Sequence, residues 1–180
     1  LDIGAGIGAT ATLFLDRNVD SYTALEPDFE NFNKIKKNKD LNNTPFRLNC
    51  IHGDISSLEE NSLFDTILFI DVLEHILDDS KELEEASKHL LPKGKIIVLS
   101  PAHDFLYSPF DKAVGHYRRY NKKSLMSIKP SILNTEHIFY LDSIGILISM
   151  INRYILRSKT PNKQQIKFWN NIVIPVSKVI

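Results

Sequence analysis

Cysteine is nearly absent from this chain of 180 residues, and long apolar runs are missing altogether. The single cysteine, Cys50, excludes an intramolecular disulfide framework and a metal site built from several cysteines, and it fits a reducing, cytoplasmic location. No run of 18 apolar residues is present that could cross a bilayer as a helix. With only 7 glycines and 8 prolines, collagen-like and low-complexity chains are excluded as well. The remaining composition is typical of one globular domain.

A formal net charge of zero conceals two halves of opposite charge. Residues 1–100 contain 10 basic and 18 acidic side chains, whereas residues 101–180 contain 12 basic and 4 acidic ones, so the halves carry −8 and +8. From Ser143 onward there are six basic residues and no acidic one. The sequence therefore predicts one domain, 1–180, whose two halves face different partners.

Short apolar runs alternate with helical patterns over the first half. Strands are predicted at 22–25, 46–51, 64–70 and 95–99, and helices at 9–17, 28–40 and 79–91. Asp79 or Ser80 is expected to cap the third helix, and Pro92-Lys93-Gly94 to stop it. This alternation predicts an α/β fold with a doubly wound, Rossmann-like, mostly parallel sheet covered by helices on both faces.

The alternation ends after residue 100. Residues 101–120 form a long polar and aromatic loop, 134–141 resembles a further strand, and helices are predicted at 143–156 and 164–174. The last two make a basic, amphipathic C-terminal segment, 143–180. It fits a lid helix with a solvated basic face, a peripheral contact with an anionic membrane surface, or a surface for an anionic substrate. No recognisable RNA-binding module accompanies it, so nucleic acid is not an expected partner.

A strand end, a glycine turn and a helix start follow one another at Leu1-Asp2-Ile3-Gly4-Ala5-Gly6-Ile7-Gly8-Ala9. Glycines allow positive φ and close approach of a ligand, and a helix N-terminus offers unpaired N–H groups. Gly4, Gly6 and Ala9 also satisfy a dinucleotide fingerprint, so nicotinamide or flavin binding and a turn without ligand both remain open on this motif alone.

Acidic residues come directly after three of the predicted strands. Glu26 is placed where a carboxylate can accept both hydroxyls of a ribose, Asp54 could accept from an adenine amino group, and Asp71 follows the fourth strand. Because ligands of open parallel sheets bind at the carboxyl ends of the strands, the three carboxylates together favour a nucleotide-like ligand.

Together, the glycine turn, Glu26, Gly53-Asp54, residues 64–75 and Leu91-Pro92-Lys93-Gly94-Lys95 resemble the class I S-adenosylmethionine (SAM)-dependent methyltransferases. The later residues Asp111 and Gly115-His116-Tyr117-Arg118-Arg119-Tyr120 resemble a subgroup of the methyltransferase-11/12 type. The family's first strand is cut short here and its usual seventh strand is not evident. We therefore expect a domain truncated at both ends, with its natural N-terminus upstream.

The resemblance implies SAM as the cofactor. It places SAM at Gly4, Gly6 and Gly8, with Glu26 on the ribose, Asp54 and Ile55 at the adenine, and Asp2 and Asp71 near the methionine part. These assignments come from similarity to the family.

Methyl transfer chiefly needs the acceptor held in line with an activated methyl group, so a general base is optional. If a base is used, His116 is the first candidate, because histidine titrates near neutrality, followed by Asp111, Asp71 and His75. His75, Tyr117, Arg118 and Arg119 are the candidate substrate-binding residues. In the alternative interpretation, one arginine pairs with Asp111 and merely holds the loop shut. No metal site is predicted.

The sequence thus predicts an enzyme that methylates a small-molecule or lipid-linked acceptor at oxygen, nitrogen or carbon. Two alternatives remain: an NAD(P)-dependent oxidoreductase that shares the glycine turn, and a SAM-binding protein without catalysis.

Overall fold

The chain divides into two compact units. The first unit contains a sheet of five parallel strands. The computed structural model describes residues 1–41 and 43–141, together with residues 146, 150, 167 and 171. The first unit comprises Leu1–Leu73 and Asp78–Ser100, and the second comprises Glu74–Leu77 and Pro101–Ile180. The boundary at Ser100 coincides with the change in charge, but the short segment Glu74–Leu77 belongs to the second unit.

The sheet confirms the predicted α/β class. Its strands are β1 (Asp2–Ile3), β2 (Ser21–Glu26), β3 (Arg47–His52), β4 (Phe64–Ile70) and β5 (Leu90–Leu99), in the order β3-β2-β1-β4-β5. Every neighbouring pair is parallel, and Ile3 is in register with Leu25 and Phe69. The residues that follow β1, β2 and β4 therefore emerge at one edge of the sheet, which is where doubly wound folds place their ligands.

Three helices accompany these strands: α1 (Ala9–Thr12), α2 (Phe29–Lys37) and α3 (Asp79–Lys88). The Asp28 side chain caps α2 by accepting from the amide of Asn31, with lysines in the last turn of the helix. The predicted cap of α3 was wrong. Asp78, rather than Asp79 or Ser80, accepts from the amide of Lys81.

The predicted end of α3 was also wrong. The helix ends at Lys88, and Pro92-Lys93-Gly94 lies inside β5 instead. Phe64 pairs with Leu90 but Thr66 pairs with Lys95, so the register shifts and a bulge in β5 accommodates the proline and glycine.

The core of the first unit lies around β2, whose residues after Ser21 are all buried. Tyr22 stands between Phe14 and Phe46, with ring centroids 5.6 and 5.8 Å away. Ala11 of α1 and Ile35 of α2 are essentially inaccessible in the same cluster. A strand that is buried on both faces is mostly apolar, which is why a strand could be predicted at 22–25.

The second unit contains two short helices, α4 (Pro109–Ala113) and α5 (Lys122–Ser127), and an isolated bridge between Ala102 and Tyr120. The predicted strand at 134–141 was wrong, since these residues form neither strand nor helix. Phe139 and Leu141 are 66% and 62% exposed, so no buried face fixes a strand register in this part of the described chain.

The predicted helices at 143–156 and 164–174, and with them the basic segment 143–180, lie outside the described residues apart from four isolated positions. Among the residues that are described, no helix has the length and apolar character needed to cross a membrane.

Candidate functional site

The turn after β1 is built from glycines in the left-handed region. Gly4, Gly6 and Gly8 have φ values of 65°, 58° and 83°. A Cβ on Gly4 would lie 2.7 Å from Val72 Cγ2, and one on Gly8 would lie 2.8 Å from Leu41 Cδ1. A Cβ on Gly6 would meet nothing within 4 Å. A side chain at either outer glycine would collide with a neighbouring side chain, whereas the space beside Gly6 is open.

Glu26 fastens this turn to the end of β2. Its Oε2 accepts from the amide of Gly6 at 2.7 Å, and its Oε1 accepts from the amide of Asp28 at 2.9 Å. The side chain is buried. An ionised carboxylate offers about four acceptor positions, so two backbone bonds leave capacity for further donors such as ribose hydroxyls.

Asp2 lies under the turn as a buried carboxyl group whose Oδ2 accepts from the Tyr22 hydroxyl at 2.7 Å. Burial raises the pKa of Asp2 to about 6, and the bond from Tyr22 opposes that rise only in part. The family resemblance implies that Asp2 lies near the methionine part of the cofactor, and Asp2 ends up at the same sheet edge as Glu26.

The other predicted cofactor residues also follow strands of the first unit. Asp54 is exposed and caps the short 3-10 turn Ile55–Ser57 by accepting from the amide and hydroxyl of Ser56, and Ile55 itself is buried. Asp71 has φ 53°, an uncommon value outside glycine, and its amide donates to Leu99 O at 2.8 Å. The carboxylates of this unit therefore follow three successive strand ends.

In the second unit, Asp111 is the centre of a hydrogen-bond network. It is fully buried, and Oδ2 accepts from the amide and hydroxyl of Ser108, both at 2.9 Å. Oδ1 accepts from His116 Nδ1 at 2.9 Å and from Arg119 Nε at 2.8 Å. Burial alone would raise the pKa of Asp111, but the bonds from Arg119, His116 and Ser108 outweigh it and hold the pKa below its usual range.

This network fixes the orientation of His116. Because the ionised Asp111 can only accept, Nδ1 of His116 donates to it, and Nε2 is the ring nitrogen that faces away from Asp111. Nε2 lies 4.0 Å from Oε1 of the buried Glu74, and the His75 ring meets the His116 ring edge-on at a centroid distance of 4.6 Å. One ligand atom each from Glu74, His75 and His116 lies within 4.8 Å of the others.

The remaining substrate candidates surround this cluster through backbone contacts. The Tyr117 amide donates to Glu74 O at 2.7 Å, and Arg118 donates to Leu77 O at 2.8 Å. Arg119 pairs with Asp111, as the loop-holding alternative requires, whereas Tyr117 exposes more than half of its side chain. The contacts hold segment Glu74–Leu77 beside the loop that carries His116.

The sequence analysis missed Glu74 as a partner of His116. It singled out Asp71, His75, Asp111 and His116, but gave no role to the carboxylate beside His75. The available signal was the pair Glu74-His75 directly after a strand. Its connection to His116 depends on a loop conformation that the sequence does not disclose.

The comparisons with known proteins agree with the fold. A family described as a methyltransferase domain matches residues 1–146. A ubiquinone biosynthesis O-methyltransferase of Rickettsia akari is 27% identical over 100 residues, which cover 54% of this chain and 38% of that protein. This chain therefore spans well under half of that relative's length.

Two solved structures are similar in fold. A putative methyltransferase from Bacillus halodurans gives a TM-score of 0.61 at 16% identity, covering 71% of this chain and 58% of that one. The YcgJ protein of Bacillus subtilis gives 0.59 at 20% identity, covering 71% and 57%. At these identities the likeness concerns the fold alone. Together with the family match over most of the chain, it leads to one conclusion: the chain belongs to the methyltransferase domain family of class I SAM-dependent methyltransferases.

Proposed function

We propose that this protein transfers a methyl group from SAM to a small-molecule or lipid-linked acceptor. The observation that carries the proposal is the turn of Gly4, Gly6 and Gly8, which Glu26 fastens through the Gly6 amide. Its open side at Gly6 and the spare acceptor positions of Glu26 fit a nucleoside with a free ribose.

The residues that would hold SAM all belong to the first unit. We assign Gly4, Gly6 and Gly8 to backbone contact and Glu26 to the ribose. Asp54 and Ile55 are assigned to the adenine, and Asp2 and Asp71 to the methionine part. The cofactor supplies a methyl group already activated on sulfur, so the protein mainly has to hold and orient the reactants.

The reaction balances without a redox partner. A bond forms between the acceptor atom and the methyl carbon, the carbon–sulfur bond breaks with its electron pair going to sulfur, and S-adenosylhomocysteine leaves. An O–H or N–H acceptor also releases a proton. We propose that Asp111 acts as a positioning residue and that His116 engages the reacting group of the acceptor on its Nε2 side.

We assign acceptor recognition to His75, Tyr117 and Arg118. The similarity to a ubiquinone biosynthesis O-methyltransferase supports oxygen as the methylated atom and a lipid-linked acceptor. The basic composition of 143–180 is consistent with an anionic or membrane-near acceptor. A cytoplasmic location with peripheral membrane contact through that segment stays a prediction.

Calorimetry with S-adenosylhomocysteine tests the cofactor assignment. We expect binding to the wild-type protein and no comparable binding of NADH, which the oxidoreductase alternative requires. Glu26→Gln should weaken binding roughly 10–100-fold, because both carboxylate oxygens accept from backbone amides and an amide nitrogen cannot accept. Glu30→Gln, a change in the exposed first turn of α2, is the matched control.

If the wild-type protein bound NADH and not S-adenosylhomocysteine, the proposal would be overturned. Full affinity in Glu26→Gln would overturn only the assignment of Glu26. A screen of polar and membrane-lipid extracts, read by mass spectrometry for the gain of one CH2 group, then identifies the acceptor. Binding without any methylated product would favour the non-catalytic alternative.

A further inference from the structure

We propose that Glu74, His75 and His116 form a binding site for a divalent transition-metal cation, with Zn²⁺ as the first candidate. The three side chains come from two separate stretches of the second unit, and their ligand atoms lie within 4.8 Å of one another. Two imidazole nitrogens and one carboxylate oxygen are ligands that zinc and its neighbours in the first transition row accept.

His116 is already arranged as a metal ligand. Its Nδ1 donates to Asp111, which leaves Nε2 facing the carboxylate of Glu74 at 4.0 Å. A histidine that donates its other ring nitrogen to a carboxylate is the usual arrangement behind a bound metal, since it fixes the tautomer and the ring direction. Asp111 in turn accepts hydrogen bonds from Ser108 and Arg119, and this network fixes the orientation of the His116 imidazole.

The backbone holds the other two ligands beside His116. Tyr117 donates to the carbonyl of Glu74, and the Tyr107 hydroxyl donates to the carbonyl of His116 at 2.6 Å. Gly115 adopts a φ of 87°, which favours glycine, and it lies beside His75, since a Cβ there would be 3.8 Å from His75 Nδ1. Glu74 is fully buried, and a buried carboxylate is stabilised by a nearby positive charge.

The site requires only a small contraction to bind a cation. Ligand atoms at the usual distance of about 2.0–2.2 Å from zinc stand about 3.3–3.5 Å apart in a tetrahedron. His75 is the exposed member of the cluster, whereas Glu74 is buried. Three protein ligands leave a position for another molecule, which distinguishes this site from a closed structural zinc site.

The remaining coordination position of the cation suits a hydroxyl group of the acceptor. A divalent ion lowers the pKa of a hydroxyl group that it binds. This role rests on the proposed function, whereas the site itself rests on the geometry of three side chains. It also specifies how His116 engages the acceptor, namely through a metal ion bound at Nε2. The substrate class that fits is a hydroxyl compound able to bind a metal through oxygen.

Zinc binding to the chelator-stripped protein tests the site without cofactor or acceptor. We expect one Zn²⁺ per chain, with micromolar or tighter affinity in competition with a chromophoric chelator. His75→Ala and His116→Ala should each weaken binding at least tenfold. His137→Ala removes an exposed imidazole of the same unit outside the cluster and should leave the affinity unchanged. His75 is exposed, so its variant keeps the test valid if replacement of His116 impairs folding.

The proposal is overturned if wild-type protein binds no zinc at this stoichiometry, if either cluster variant keeps full affinity, or if His137→Ala loses as much as they do. Co²⁺ offers a second readout, since its visible absorption should report mixed nitrogen and oxygen ligation in wild type and fade in His75→Ala. S-adenosylhomocysteine binding is measured separately, so failure of the metal site and failure of the proposed function remain distinguishable.

Discussion

The glycine turn of the first unit and the His116 loop of the second are both anchored by a carboxylate, but in different ways. Glu26 accepts from two backbone amides, whereas Asp111 accepts from one backbone amide and three side chains. The first arrangement fixes the backbone against which a ligand can lie. The second fixes the direction of one imidazole ring. The glycine turn is formed by backbone atoms and therefore depends on few side chains. The orientation of His116 depends on one side chain, Asp111, and is lost when that residue is changed.

The largest expected effect comes from removing the Asp111 carboxylate. Asp111→Ala leaves Ser108, His116 and Arg119 without a buried acceptor, which should cost about 3–5 kcal/mol in the free energy of unfolding of the second unit. Urea denaturation followed by circular dichroism measures the loss. Asp104→Ala, which removes an exposed carboxylate bonded to Asn121, should cost under about 1 kcal/mol. Equal losses in the two variants would refute a central role for Asp111.

A pair of alanine substitutions sharpens the account of the glycine turn. Gly4→Ala adds a clash with Val72 to the cost of positive φ and should destabilise the first unit by about 2–4 kcal/mol. Gly6→Ala meets no protein atom, so it should cost only the backbone strain of about 1–2 kcal/mol. Thermal unfolding measures both losses, and we expect the lower melting temperature for Gly4→Ala.

Affinity for S-adenosylhomocysteine should show that Gly6→Ala nevertheless impairs binding, because the added methyl group fills the space left for the ligand. A Gly6→Ala protein with wild-type affinity would show that the open side of the turn is not the cofactor site.

The smallest expected effect concerns Asp2 and pH. Its pKa is about 6 in the folded protein against an ordinary value of 3.8, so between these values the folded state binds more protons than the unfolded state. The free energy of unfolding therefore falls as the pH rises from about 4 to 6, and above that range the whole destabilising effect of Asp2 is present. Asp2→Asn keeps an acceptor for Tyr22, should remove this decline and should therefore be more stable than wild type at pH 7.5.

Melting temperatures of wild type and Asp2→Asn across this pH range measure the difference, and Asp65→Asn, an exposed change in β4, is the control. Parallel curves for wild type and Asp2→Asn would contradict the assignment. Weaker S-adenosylhomocysteine binding by the more stable variant would support the proposed contact of Asp2 with the cofactor.

Local patterns predicted more of the first unit than of the second. The run at 64–70 is found as β4 with the same bounds, because its second half, Ile67 to Ile70, is continuously apolar and Ile67 to Phe69 are buried. The cap at Asp78 and the path of Pro92-Lys93-Gly94 through β5 could not be predicted, since both depend on where neighbouring backbone amides and strands lie. The strand expected at 134–141 shows that apolar residues alone do not make a strand without a partner and a buried face.

The amino-acid sequence by itself determined the parallel α/β sheet and the glycine turn with Glu26 at its carboxyl edge, since strand periodicity and glycine conformation act over neighbouring residues. It also supplied every candidate side chain around His116 except Glu74. Only the tertiary structure decided that Asp111 is buried and bonded to His116 and that Glu74 and His75 lie beside Nε2 of His116. Glu74 and His75 are distant from His116 along the chain, and the hydrogen bonds of Asp111 form only when its loop is folded.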